Sequence, residues 1–314
     1  MQQALLTNEK VNIMLPSSVY SNESTINALL RQFSKIGPLT TEVIYNTANM
    51  KWIDGEVSSL LGSLFEKVKT DYPHILQYFV SHITKTKAEQ LLIRNGLLPH
   101  YLTDFEKIED SFHTVIAYKV IDLTEDNAKD LVFKYLNDEV YSHSQWKSNF
   151  SVVEEQAEFS DSIFELVSNV LEHSRSSKIL ISGQFYPKKD EFRISIGDIG
   201  IGIPVTVQNE TPTLLSDGER IDWATHKSMT SKTNAHARGL GLHRIKESLT
   251  NVGTLIIVSG TGYWKMNEDG FISHSKLSYQ YPGTYVKISF SRNRIFDKMK
   301  TNDIMKPNTM RLPF

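Results

Sequence analysis

Residues 154–174 read EEQAEFSDSIFELVSNVLEHS, and the spacing within this stretch sets the character of the second half of the chain. Phe159, Ile163, Leu166, Val167 and Val170 recur at three- and four-residue intervals, the mark of a helix that buries one face. Glu165, Asn169 and His173 follow one another at four-residue spacing and share a second stripe beside the apolar one. A carboxylate, an amide and an imidazole aligned along the rim of a buried face exceed what a solubilising helix edge requires.

Moving outward from that helix, residues 178–183 (KILISG) and 191–197 (EFRISIG) predict two strands around a turn over 187–190. The second strand runs directly into 198–204, DIGIGIP. Glycines there let backbone approach a ligand closely, and Asp198 at the strand end offers a carboxylate acceptor to an amino group. Further on, Arg238-Gly239-Leu240-Gly241-Leu242 enters an amphipathic helix over 243–250. A glycine-rich turn at a helix N-terminus presents N–H groups and the positive end of the dipole, which suits phosphate. Strand 254–259 (TLIIVS), a long polar hairpin with Tyr263 and Trp264, and strand 283–290 (GTYVKISF) complete the region.

These four elements, ELVSNVLEH, DIGIGIP, GLGLHRIKE and GTYVKISF, in this order resemble the GHKL superfamily of gyrases, MutL proteins, heat-shock chaperones, histidine kinases and anti-sigma serine kinases. The resemblance spans residues 155–290. It implies a two-layer α/β sandwich with a mixed sheet, and ATP with Mg²⁺ as cofactors. By position it makes Asn169 the Mg²⁺ ligand through its amide oxygen, phosphate oxygens and water completing the shell. Asp198 would accept from the adenine amine with Thr284 nearby, Gly200 and Gly202 would pack against the nucleotide, and Gly239, Leu240, Gly241 and Leu242 would wrap the phosphates. Glu165 takes the position of a general base, and His173 a position beside the phosphates. Residues 205–238, holding Trp223, His226, Lys227, Ser231, Lys232 and Thr233, take the place of a lid, with Lys232 as a phosphate contact.

The first half follows a different rhythm. Residues 41–48 predict a strand, 56–69 a helix carrying Val57, Leu60, Leu61, Leu64, Phe65 and Val68, 74–80 a second strand and 85–95 a second helix closed by Gly96. Strand and helix in alternation imply a parallel βαβα layer. With its W-I-D-G turn at 52–55 and its N-G-L at 95–97, residues 10–100 resemble a STAS domain, the fold of anti-sigma-factor antagonists. Regulatory members carry a Ser or Thr directly after the Asp that opens the first helix; here Asp54 is followed by Gly55, and Ser58 and Ser59 read as helix-surface serines. A strand over 114–123, an amphipathic segment over 124–140 with Leu131, Val132, Tyr135 and Leu136 on one face, and a polar loop over 143–150 join the halves. The expected organisation is therefore α/β (α+β): a STAS-like domain over 1–110, a connection over 111–150, the ATP-binding domain over 151–291 and a mildly basic tail over 292–314.

Composition narrows the function classes. The chain has 314 residues, a formal charge of −2 and no cysteine, which excludes disulfides, thiolate metal sites and a cysteine nucleophile. Neither a signal peptide nor a run of about 18 apolar residues is present, so a cytoplasmic protein without a membrane partner is expected. The near-neutral balance gives no push towards nucleic acid. The expected function is a slow Mg²⁺-dependent ATPase whose nucleotide state controls contact with a protein partner; a homodimer is compatible with this. A serine/threonine protein kinase of the anti-sigma type and a non-hydrolysing nucleotide sensor stand beside it. A sensor histidine kinase is disfavoured because no H-E-x-x-x-P-like helix precedes the domain, and a topoisomerase because no transducer domain follows residue 290.

Overall fold

The computed structural model describes residues 9–81, 86–148, 153–210, 214–226, 241–291 and 294–295. The chain has a mixed α/β architecture, and its described strands form sheets of three, five and two. The N-terminal layer begins earlier than the 41–48 strand: β1 (Glu9–Met14), β2 (Ser18–Val19), α1 (Glu23–Phe33), β3 (Thr40–Asn46), β4 (Trp52–Ile53), α2 (Val57–Asp71), β5 (Leu76–Val80), α3 (Lys87–Arg94) and α4 (Leu97–Tyr101). β1, β3 and β5 pair in that order and in parallel, while β2 and β4 form a small parallel pair. Local chemistry sets the helix ends. Asn22 caps α1 by accepting from the Thr25 amide at 2.9 Å. Thr86 and Glu89 form a reciprocal capping box on α3, satisfying amides that the first turn leaves without partners. Gly96, at φ 91°, closes α3.

β6 (Val115–Asp122) follows, then α5 (Ala128–Tyr135), a π-helical turn over Leu136–Tyr141, α6 (Ser144–Ser148), α7 (Val153–His173), β7 (Lys178–Tyr186), β8 (Glu191–Asp198), α8 (Ile203–Glu210), α9 (Asp217–Ala224), α10 (Gly241–Leu249), β9 (Gly253–Met266) and β10 (Ile272–Ser291). The large sheet has the order β6-β7-β8-β10-β9. Every one of its described pairings is antiparallel, so the expected mixed sheet is corrected. The short turn between β7 and β8 and the hairpin between β9 and β10 set the direction of those two pairings, since a parallel partner needs a long crossover; β6–β7 and β8–β10 join strands that helices separate. β6, from the segment expected only to connect the halves, is an edge strand of this sheet.

Both faces of the five-stranded sheet are covered, which explains strands that read as continuous apolar runs. Along β7, Ile179 and Ile181 join one core with Ile163, Val167 and Ile245, while Leu180 between them joins the other with Leu60, Leu61 and Leu64. α7 and α10 therefore lie on one face and α2 on the other. α2 is shared between the two sheets and buried around almost its whole circumference. Ser58 and Ser59 are fully buried, which corrects their reading as surface serines. The Ser59 amide donates to Ser182 Oγ at 2.9 Å, and the Ser59 and Ser195 hydroxyls meet at 2.7 Å. Polar side chains replace apolar ones here because the sheet presents polar groups to this face, and a buried hydroxyl needs a partner.

Three further expectations change. The loop over 143–150 contains the short helix α6 with Trp146 fully buried, stacked edge-on against Phe192 and Phe290. Leu131 is exposed whereas Val132, Tyr135 and Leu136 are buried, because the helix turns a narrower face inward than the pattern suggested. The hairpin bearing Tyr263 and Trp264 buries both rings, and Trp264 Nε1 donates to Asp222 in α9 at 2.8 Å.

Candidate functional site

α7 carries the site because its apolar stripe fixes its rotation on the sheet. With Ile163, Leu166 and Val167 buried, the neighbouring stripe of Glu165, Asn169 and His173 faces a cleft of about 440 Å³. Asp161, Phe164, Ser168, Glu172 and Arg244 complete its described lining. The spacing singled out Glu165, Asn169 and His173; Asp161 was missed, although stepping back four residues from Glu165 reaches it on the same face. Arg244 was not singled out, although it lies three residues beyond Gly241 and so shares that glycine's face of α10. Its Nη1 stands 3.4 Å from Glu165 Oε2. No hydrogen bond reaches the Asn169 side chain among the described residues.

Gly241, the first residue of α10, seats that helix against α7. A Cβ at this position would lie 2.6 Å from Glu165 Cγ and 2.7 Å from Asn169 Nδ2, closer than side chains tolerate. The glycine thus lets a helix N-terminus abut the carboxylate and the amide directly. Leu242 is half-buried and packs on the apolar core behind the cleft, so its side chain serves the fold. Gly239, Leu240 and Lys232 lie outside the described residues, as do Lys227, Ser231 and Thr233 of the expected lid. The described earlier part of that lid is helical and docked: Asp217 of α9 accepts from the Thr261 amide at 2.8 Å and from its hydroxyl at 2.7 Å. Trp223 is half-buried and His226 exposed. Of the tail, Arg294 pairs with Glu268 at 2.6 Å; residues 296–314 lie outside the described ones.

Asp198, Gly200, Gly202 and Thr284 form a second cluster where the end of β8 meets the middle of β10, outside the cleft's described lining. Asp198 is 2 % exposed. Burial pushes its carboxyl up to about 7, against the backbone N–H groups of Gly200 and Thr284 that favour the charged form. The Gly200 amide donates to Asp198 Oδ1 at 2.7 Å. Gly202 adopts φ 79°, a conformation open to glycine, and this turn brings the Ile203 amide to Ser259 Oγ at 2.9 Å. Ser259 in turn donates to the Gly283 carbonyl at 2.8 Å and meets the Thr284 hydroxyl at 3.0 Å. The two clusters are adjoining: Ser174, next to His173, accepts from the Ile201 amide at 2.8 Å through its carbonyl. Among the described residues, no group of three or more His, Asp or Glu side chains is placed to hold a metal by itself.

No helix among the described residues is long and apolar enough to cross a membrane. No family model matches the chain, and no curated protein matches it. Among solved structures, the N-terminal domain of a DNA repair protein is similar over 36 % of this chain and 31 % of its own length, at 18 % identity and a TM-score of 0.22.

Proposed function

We propose that the chain binds ATP with Mg²⁺ and hydrolyses it slowly, as a GHKL-type ATPase whose nucleotide state controls contact with a protein partner. The observation that carries this is the cleft itself, where Glu165, Asn169 and His173 project together beside a helix N-terminus that only a glycine allows so close. That arrangement suits a phosphate chain: Asn169 contributes one neutral oxygen, and α10 contributes backbone N–H groups and its dipole. Mg²⁺ keeps several waters and would enter with the phosphate oxygens, so Asn169 would be its one protein ligand in this reading. Glu165 is the candidate acceptor of the proton from attacking water. The second cluster is the candidate adenine end, with Asp198 as acceptor, and its contact through Ser174 supports one ligand spanning both. The N-terminal layer, read as STAS-like, leaves Leu76, Tyr78 and Val80 exposed on one face of β5, which favours a protein contact as the output.

The test uses the full chain with γ-labelled ATP and follows free phosphate against label retained on protein. Wild-type protein is expected to release phosphate, and Glu165→Ala to release it roughly 100-fold more slowly. Equal rates in the two proteins would remove Glu165 as the base, and release that is equally slow in both would favour a nucleotide sensor. Label accumulating on a serine or threonine of an added protein would move the reading to a kinase.

A further inference from the structure

Among its described lining residues the cleft has three carboxylates, Asp161, Glu165 and Glu172, and one permanently charged cation, Arg244. A polyphosphate entering such a cleft meets repulsion that Mg²⁺ and this guanidinium must offset. Arg244 sits on the first turn of α10, the turn whose Gly241 abuts Glu165 and Asn169. It reaches back across the cleft to Glu165 through a single contact of 3.4 Å, and its side chain remains 51 % exposed. An exposed, one-point ion pair of this length contributes little to stability. It is therefore easily exchanged for a stronger partner.

We propose that Arg244 is the residue by which the cleft distinguishes a nucleoside triphosphate from a diphosphate. This rests on the nucleotide reading above. A terminal phosphoryl group beside Asn169 offers the planar guanidinium two parallel charge-assisted hydrogen bonds, which a phosphate supplies better than the single contact to Glu165. The triphosphate draws Arg244 off Glu165, and the carboxylate then faces the terminal phosphate unpaired. A diphosphate ends short of that position and leaves the α7–α10 ion pair in place. Occupancy by the triphosphate is thus coupled to the release of Glu165.

The experiment titrates the full chain with ADP and, separately, with the β,γ-imido analogue of ATP, both with Mg²⁺, by calorimetry. Wild-type protein is expected to bind the analogue about tenfold more tightly than ADP, and Arg244→Ala to lose that preference while its ADP affinity stays within about twofold. Arg244→Lys should retain part of it, because a lysine keeps the charge without the bidentate fork. Glu165→Gln, which removes the competing carboxylate, should strengthen analogue binding and serves as an independent check if Arg244→Ala fails to fold. If Arg244→Ala weakens both ligands equally, or leaves the ratio intact, Arg244 is not the discriminating group and the nucleotide reading survives. If wild-type protein binds neither nucleotide, that reading and this assignment fall together.

Discussion

Two polar assemblies lie on opposite faces of the five-stranded sheet. Between α2 and the sheet, Glu56 is fully buried and holds Arg193 at 3.3 Å and Lys287 at 3.4 Å. Asp54 pairs with Arg193 at 2.9 Å, Glu191 pairs with it at 2.6 Å, and Tyr186 donates to Glu56 at 2.8 Å. Burial pushes the Glu56 carboxyl up, but Lys287 and Arg193 outweigh it and hold the group below its ordinary range. Across the sheet, the Asn169 amide has no such partner among the described residues, and Arg244 keeps only a long, exposed contact with Glu165. Buried charge that is paired fixes one element on another, whereas polar groups at an open cleft with spare bonding capacity are available to a ligand. The same residue types therefore serve the fold on one face and a candidate site on the other.

This contrast can be broken most forcefully at Glu56. Replacing it with Ala leaves Arg193 and Lys287 buried without their shared carboxylate and is expected to cost about 3–5 kcal/mol in urea denaturation. A loss below about 1 kcal/mol would show that the seam is not held by charge. Asp198 is the intermediate case, a buried carboxylate with amide donors but no cation beside it among the described residues. Its folded pKa is raised to about 7, so the folded protein keeps its full stability below the unfolded value and loses it as pH rises towards 7. Asp198→Asn should therefore gain on the order of 4 kcal/mol over wild type between pH 4 and pH 8. Thermal melts at both pH values would check this, and an unchanged difference would refute the buried-charge cost. The smallest change in stability is expected at Asn169→Ala, within about 0.5 kcal/mol, together with the loss of Mg²⁺-dependent ATP binding in calorimetry. A strongly destabilised Asn169→Ala would place that side in the same structural class as the seam.

Much of this was legible in the chain where a local period is tied to burial. The apolar stripe of α7 predicted which way Glu165, Asn169 and His173 face, and strand–helix alternation predicted the parallel N-terminal layer. Direction within the large sheet was not legible, because β10 inserts between β8 and β9 and that order depends on contacts distant in sequence. The buried serines were misread for a related reason. Ser58 and Ser59 look solvent-facing on an isolated helix, and only the second sheet turns that side into an interior. A clue was present in 191–197, EFRISIG, where Arg193 and Ser195 alternate with apolar residues on a strand buried on both faces; such a pattern demands polar partners on one side. Arg244 escaped notice because the glycines beside it account for phosphate chemistry without it.

The seam of α2 also has a consequence for how the chain is made. Its hydrogen bonds join residues 123 to 139 positions apart, from Ser59 with Ser182 to Asp54 with Arg193. At a synthesis rate of about 5–20 residues per second, α2 leaves the ribosome on the order of ten seconds before the strands that cover it. During that interval Glu56 and the α2 serines remain in water while Leu60, Leu61 and Leu64 lack one of their two sheets. The N-terminal layer is thus born unfinished, and its last surface is supplied by the strands that carry Asp198 and Thr284.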